Sequence, residues 1–429
     1  MNNFNFLPDD IQITLDLFEP GILAFTEVRT VTLSKTEFID FIEKNKASIA
    51  GNGVVYHNKQ VGLIPSILNT WFNERLEYKT KLKEFKPDSP DYEYFDRKQL
   101  ITKILLNSFY GVLLLPSFRF YDKQNGEGVT LSGQDIIKFS GSVINKYYKN
   151  KLNIENSADF VTYSDTDSTY IEAIPLIDDY ETLNDSEIYP KIVEISNSVC
   201  EYANQSLKWL AENHFNSNNC RLKFAQEKIA KRAFWGTAKK RYAQLTLDKN
   251  LNEKTDFKGF DMVRSSFPLT FRKIQKELII DILHDVNSTE LNIKIKNFKK
   301  QFKSESIRDI LLPTSVKEIS KFKYGQKGTP IHVKSAQNYN KLLELFKIEN
   351  LPKIEDGDKI LWAYLKANPY GFETLAIRGY DDPNQIVEFL ERFIDKNEIF
   401  NRSLMSKLET IWEDLGWGKI NLDADSDFF

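Results

Sequence analysis

Only two cysteines, Cys200 and Cys220, occur in the 429 residues, which excludes a disulfide scaffold and suits a reducing, cytoplasmic location. Four histidines beside those cysteines leave little material for a zinc site. Any metal therefore falls to carboxylates, and hard ions such as magnesium are favoured. No apolar run approaches the roughly 18 residues that a membrane span needs, so no membrane partner is expected. The opening MNNFNFLPDD lacks the basic and apolar regions of a secretory signal. There is no internal repeat and no long low-complexity tract. What remains is a globular composition, 41% hydrophobic and 28% charged, in a chain long enough for about two to four domains.

Charge is short overall but unevenly spread. The net charge is −3, which by itself predicts no polyanion partner. Between 221 and 241, however, stand Arg221, Lys223, Lys228, Lys231, Arg232, Lys239, Lys240 and Arg241 against the single acid Glu227. Residues 178–187 and 423–427 are acidic. A basic stripe in a near-neutral chain is one footprint of a nucleic-acid groove, and it is also what a solvated charged face looks like.

Apolar spacing predicts a helix over 65–85 through Ile67, Leu68, Trp71, Phe72 and Leu76, and a second over 95–112. The breakers Pro87, Asp88, Ser89 and Pro90 between them predict an antiparallel helical hairpin. A strand is expected at 54–56 and another at 117–121, then a turn at 125–128 and a long helix to about 149. Runs 159–163 and 168–174 flank Ser164-Asp165-Thr166-Asp167 and predict a β-hairpin with an acidic tip. A helix near 189–213 leads to strands at 222–226 and 241–247. Beyond about 262 the pattern turns mainly helical, with 269–285 the first helix and a β-like patch at 359–365.

Four groups of residues carry possible chemistry. Asp165 and Asp167 at a hairpin tip repel each other unless a cation intervenes, although Asp and Ser also suit a plain exposed turn. At about 100° per residue, Lys103, Asn107 and Tyr110 fall within about 60° of one helical stripe. A cation, an amide and a phenol there suit a phosphate, a sugar and a base, while Ile104, Leu105, Phe109 and Val112 are expected to hold the helix; an ordinary amphipathic helix reads the same way. Arg75 and Lys79 on the preceding helix can approach Lys103 across the hairpin, and three converging cations call for an anion such as a triphosphate. Lys239, Lys240, Arg241 and Tyr242 open a strand, with Glu227 before them and Lys258 and Arg264 beyond, a track for nucleic-acid phosphates or a lysine-guarded edge strand.

These elements, in this order, resemble the family B (alpha-like) DNA polymerases of the T-even-like phage type. Lys103 to Gly111 reads KILLNSFYG, similar to that family's KxxxNSxYG fingers motif. Tyr163 to Ser168 reads YSDTDS, similar to the palm motif YGDTDS, with Ser164 where glycine is usual. Lys239 to Tyr242 matches its KKRY element, and Phe72 to Arg75 with Lys79 looks like the first fingers helix. The resemblance implies an α+β right hand: an antiparallel-sheet palm over 114–262 with part of 1–60, helical-hairpin fingers over 61–113, and a mostly helical thumb over 263–429. It implies template-directed transfer of deoxynucleotides to a primer 3′ end with two magnesium ions. Asp167 and Asp165 become the catalytic residues, and Asp167, Asp165 and Glu227 the metal ligands. Arg75, Lys79, Lys103, Asn107 and Tyr110 become nucleotide-binding residues. Lys239, Lys240, Arg241, Tyr242, Lys258 and Arg264 become DNA-binding residues.

The family's other metal-binding aspartate lies in a motif of the form DxxSLYPS, which the 429 residues do not contain. The expectation is therefore a C-terminal portion of a divided polymerase, inactive alone, with an N-terminal piece supplying that aspartate and the exonuclease. The rival is a catalytically silent DNA-binding or assembly subunit. The closing Asp427-Phe428-Phe429, after an acidic run, is expected to anchor on a sliding clamp.

Overall fold

Ser34 ends a strand and starts a helix, because its hydroxyl accepts from Glu37 N–H while Glu37 Oε2 accepts from Ser34 N–H at 2.8 Å. That reciprocal cap follows β1 (Gln12–Pro20) and β2 (Thr26–Ser34), an antiparallel pair, and opens α1 (Lys35–Asn45). The computed structural model describes residues 8–20, 26–58 and 60–422. The tail carrying Phe428 and Phe429, expected to meet a clamp, lies outside them.

The chain divides into two compact units between Glu227 and Lys228. In the first, Ile13, Leu15 and Leu33 cover Phe38, Ile39 and Ile42 of α1. The short strands β3 (Ala47–Ile49) and β4 (Val55–His57) pair next. Then come α2 (Leu63–Leu82), α3 (Pro90–Leu113), α4 (Lys123–Leu152), the hairpin β5 (Val161–Asp165) and β6 (Ser168–Ile171), and α5 (Asp185–Asn213). Ser89 caps α3 with Pro90 in its first turn, and Asn184 with Glu187 forms the capping box of α5.

The second unit opens with a three-stranded antiparallel sheet, β7 (Ile229–Trp235), β8 (Tyr242–Leu247) and β9 (Glu253–Lys258). Helices α6 (Leu269–Leu283), α7 (Ser288–Phe302) and α8 (Ile307–Ile310) follow, then β10 (Leu312–Ser315) and α9 (Ile331–Leu345). Strands β11 (Lys359–Tyr364) and β12 (Thr374–Ile377) complete a sheet with β10, and α10 (Asn384–Phe393), α11 (Lys396–Ile399) and α12 (Ser406–Asp414) end the unit. One core runs from Phe234 and Phe260 through Phe271 and Tyr339 to Trp412. The change of pattern near 262 therefore marks a change of secondary structure inside one packed body.

Several expectations need correction. The turn expected at 125–128 is the first turns of α4, because Asp122 Oδ1 accepts from Asn125 N–H at 3.0 Å and caps the helix. Gly126 is there for close approach: a Cβ on it would meet Leu114 Cδ2 at 2.3 Å. The strand expected at 117–121 is a pair of turns, with Phe118 N–H on Leu115 O at 2.9 Å and Tyr121 N–H on Phe118 O at 3.0 Å. Its aromatics pack instead, Phe118 against Phe109 at 6.3 Å. The strand expected at 222–226 has a side chain for a partner: Asn204 of α5 donates to Phe224 O at 2.9 Å and accepts from Phe224 N–H at 2.7 Å. An amide can replace a neighbouring strand for one residue, but it does not build a ladder.

Candidate active site

The acidic hairpin has a rigid mount. Tyr148 of α4 is fully buried, stacks on Phe160 at 4.7 Å and donates its hydroxyl to Glu172 O at 2.7 Å. Burial drives that phenol's pKa upward, so it stays a donor at all ordinary pH. Ile144, Val199 of α5, Val161 and Ile171 complete the cluster beneath β5 and β6. Across the strands, the Tyr163 and Tyr170 rings lie 5.8 Å apart.

The tip is a two-residue turn, since Asp165 pairs with Ser168. Thr166 takes φ +56° there. A β-branched residue in the left-handed region is a genuine outlier, at a place where tight hairpin turns favour glycine. The turn closes on Asp167 N–H to Asp165 O at 2.6 Å. Thr166 Oγ1 donates to Asp165 Oδ1 at 3.0 Å, and Ser168 Oγ to Asp165 O at 3.1 Å. Asp165 is thus half-buried and held by its neighbours, whereas Asp167 is exposed at the tip. Among the described residues no three His, Cys, Asp or Glu side chains stand together as a metal site. Glu227 accordingly does not join Asp165 and Asp167 in such a group; it lies exposed just before β7.

Helices α2 and α3 form the expected antiparallel hairpin. Its register is set by rings: Trp71 on Phe109 at 5.9 Å near one end, Tyr78 on Phe95 at 6.3 Å and Phe85 on Phe95 at 5.6 Å at the other. At about 1.5 Å rise per residue, this register puts Arg75 level with Lys103, and Lys79 about one turn nearer the hairpin's connection. Arg75 is half-buried, and its Nε has no hydrogen-bond partner among the described residues. Lys79, Lys103, Asn107 and Tyr110 are exposed. The expectation that Ile104 and Leu105 anchor the helix is corrected: they are 56% and 44% exposed. A two-helix arm has one mutual face, and the ring pairs occupy it.

In the second unit the basic stripe is partly neutralised. Lys228 faces Asp256 at 2.5 Å, Lys231 faces Glu253 at 3.4 Å, and Arg232 faces Asp285 at 3.0 Å. Those acids come from β9 and the turn after α6, so the count along 221–241 did not include them. Lys239 and Lys240 are exposed on the loop between β7 and β8, Lys258 is exposed at the end of β9, and Arg264 lies 3.5 Å from Asp261. The Arg241 guanidinium stacks over Phe260 at 4.9 Å. Tyr242 is only 6% exposed and packs against Trp235 at 5.2 Å, so it holds the strand rather than meeting solvent.

Residues missed by sequence reasoning are those that brace this geometry: Tyr148, Asn145 and Asp159 under the hairpin, and Asn204 beside 222–226. Only the Asp159-Phe160 step, opening a predicted strand, hinted at any of them.

No helix among the described residues is long and apolar enough to cross a membrane. The sequence model of DNA polymerase family B matches residues 23–414. The DNA-directed DNA polymerase of Enterobacteria phage T4 is 27% identical over 74% of this chain and 37% of its own length. That of Escherichia phage RB69 is 23% identical over 91% of this chain and 52% of its own. DNA polymerase 2 of Aeropyrum pernix is 28% identical over 50% of this chain and 21% of its own. The chain thus spans about half or less of the length of these relatives. With a family match across almost all of its described residues, the chain belongs to DNA polymerase family B.

Proposed function

We propose that this chain supplies the nucleotide-binding arm and two catalytic carboxylates of a DNA-directed DNA polymerase. In that reaction a primer 3′-oxygen attacks the α-phosphorus of a deoxynucleoside triphosphate and pyrophosphate leaves. The observation that carries this reading is the turn at Asp165, Thr166 and Asp167, a strained tip that presents two carboxylates from a braced hairpin. Residues 61–113 act as fingers, 114–262 with part of 1–60 as palm, and 263–429 as thumb, the last palm strands and the thumb sharing one core.

Oxygen donors at an exposed tip suit magnesium, which keeps several waters and takes one or two carboxylates together with substrate phosphates. Two such ions, held in part by Asp167 and Asp165, would lower the pKa of the 3′-hydroxyl and offset charge on the leaving phosphates. Asp167 is the ligand at the tip, and Asp165, oriented by the Thr166 hydroxyl, is the second. A further carboxylate, from a DxxSLYPS sequence outside the 429 residues, completes the site. Arg75, Lys79 and Lys103 bind the triphosphate, Asn107 and Tyr110 lie along the sugar and base pair, and Lys239, Lys240, Arg241, Lys258 and Arg264 meet primer–template phosphates.

Primer extension tests the reading. The 429-residue chain alone is expected to be inactive, and a polypeptide carrying DxxSLYPS and the exonuclease is expected to restore magnesium-dependent extension. Robust extension by the pure chain rejects the shared metal site. No extension in any combination favours the silent assembly subunit.

A further inference from the structure

The loop between β7 and β8 is fastened from the far end of its own unit. Thr237 Oγ1 donates to Asp414 Oδ1 at 2.6 Å, although the two residues are 177 apart in sequence. Asp414 is the last residue of α12, and that helix is rooted by Trp412, which is fully buried and meets Trp417 edge-on at 5.4 Å. The other carboxylate oxygen, Oδ2, is buried and has no hydrogen-bond partner among the described residues. It stands 3.1 Å, and Arg241 Cδ 3.3 Å, from the point where a Gly236 Cβ would sit. Arg241 Nε and Nη2 are also buried without a hydrogen-bond partner among the described residues. Gly236 N–H closes the loop on Arg241 O at 2.8 Å. On the opposite side, Gly259 at φ +72° lets β9 approach so closely that a Cβ there would lie 2.1 Å from Lys240 O.

A carboxylate beside a loop that carries Lys239, Lys240 and Arg241 attracts those cations, but it is an unexpected neighbour for a phosphate bound by them. By charge alone it opposes a phosphate. We infer that Asp414 is a positioning residue: through Thr237 it sets the path of residues 236–241, and so fixes where Lys239, Lys240 and Arg241 meet nucleic-acid phosphates. This inference rests on the reading of the loop as a DNA contact.

The sign of the effect separates positioning from charge. Removing a negative charge beside phosphates tightens binding if charge is all that matters. Losing the hydrogen bond that orders the loop loosens it. The measurement is fluorescence anisotropy of a labelled primer–template duplex with the full chain, across a salt series, with thermal midpoints recorded for every variant. Asp414→Ala and Thr237→Val are expected to weaken binding about three- to tenfold, the size of one lost hydrogen bond. Each also makes the dependence of log Kd on log salt shallower. Asp414→Asn, which keeps an acceptor for Thr237 and loses the charge, binds at least as well as the parent, and Thr237→Ser is expected to restore what Thr237→Val loses.

Parental or tighter binding by Asp414→Ala overturns the inference. If Asp414→Ala lowers the thermal midpoint sharply, Thr237→Val decides, since that exposed change tests the same bond; parental affinity there overturns the inference too. Lys239→Ala is the control for the underlying reading. If it leaves affinity and salt slope unchanged, the DNA contact itself is rejected and the positioning role falls with it. If it weakens binding while Asp414→Ala and Thr237→Val do not, the DNA reading stands and positioning alone is rejected.

Discussion

Asn145 of α4 donates its amide to Asp159 Oδ1 at 2.8 Å and accepts from Phe160 N–H at 2.8 Å, so one side chain grips the chain on both sides of a strand's first step. The same Asp159 oxygen accepts from Val161 N–H at 3.0 Å. The strand that ends in Asp165 is therefore started by a helix residue, and the acidic tip inherits its position from α4.

That latch predicts a pH dependence. The Asn145 amide and the Val161 N–H hold the Asp159 carboxyl below its usual 3.8. A depressed carboxylate contributes stability above its unfolded pKa and loses it as pH falls through the folded value. Asp159→Ala should lower the thermal midpoint near pH 7, and the gap from the parent should close as the pH falls below about 4. The site is exposed, so the effect is below about 1 kcal/mol. A gap that stays constant or widens in acid refutes the latch.

Thr166→Gly should relieve the left-handed strain and raise stability by about 1 kcal/mol, read by urea titration. It also removes the hydroxyl that donates to Asp165 Oδ1. Extension by the assembled enzyme should fall even as the fold gains. A variant that is both less stable and fully active contradicts the picture of the tip.

On the proposed site, Asp167→Ala in the assembled enzyme should abolish extension and leave primer–template affinity within about threefold, because the exposed carboxylate would serve the metals and not the duplex. Extension near the parental rate removes Asp167 from the site.

Lys103→Ala should raise the nucleotide KM and lower kcat. Lys240→Ala should mainly weaken duplex binding and reduce the salt slope by about one unit for each lost phosphate contact. Steady-state kinetics in nucleotide and in DNA separate the two. Nucleotide kinetics untouched by Lys103→Ala reject the arm as the triphosphate site.

Local patterns determined much about this protein. Spacing of apolar residues and a Pro-rich breaker gave the α2–α3 hairpin, and β-formers around two aspartates gave the β5–β6 turn. These are contacts between near neighbours in sequence, so residue order carries them. Family motifs of contiguous residues were legible for the same reason. What lay out of reach depends on partners distant in the chain. Asn204 stands in for a strand at Phe224, Asp256 and Glu253 neutralise lysines counted as free, and α6 shares a core with the β7–β9 sheet across the apparent boundary near 262. Glycines at 126 and 128 read as a turn, because a glycine in a turn and a glycine under a crossing side chain look alike until Leu114 lies over Gly126 and Asn52 and Tyr56 over Gly128. Only the tertiary structure could decide that Asp414 reaches Thr237, since an exposed carboxylate and a loop's tether differ in nothing but what the fold brings within hydrogen-bonding distance.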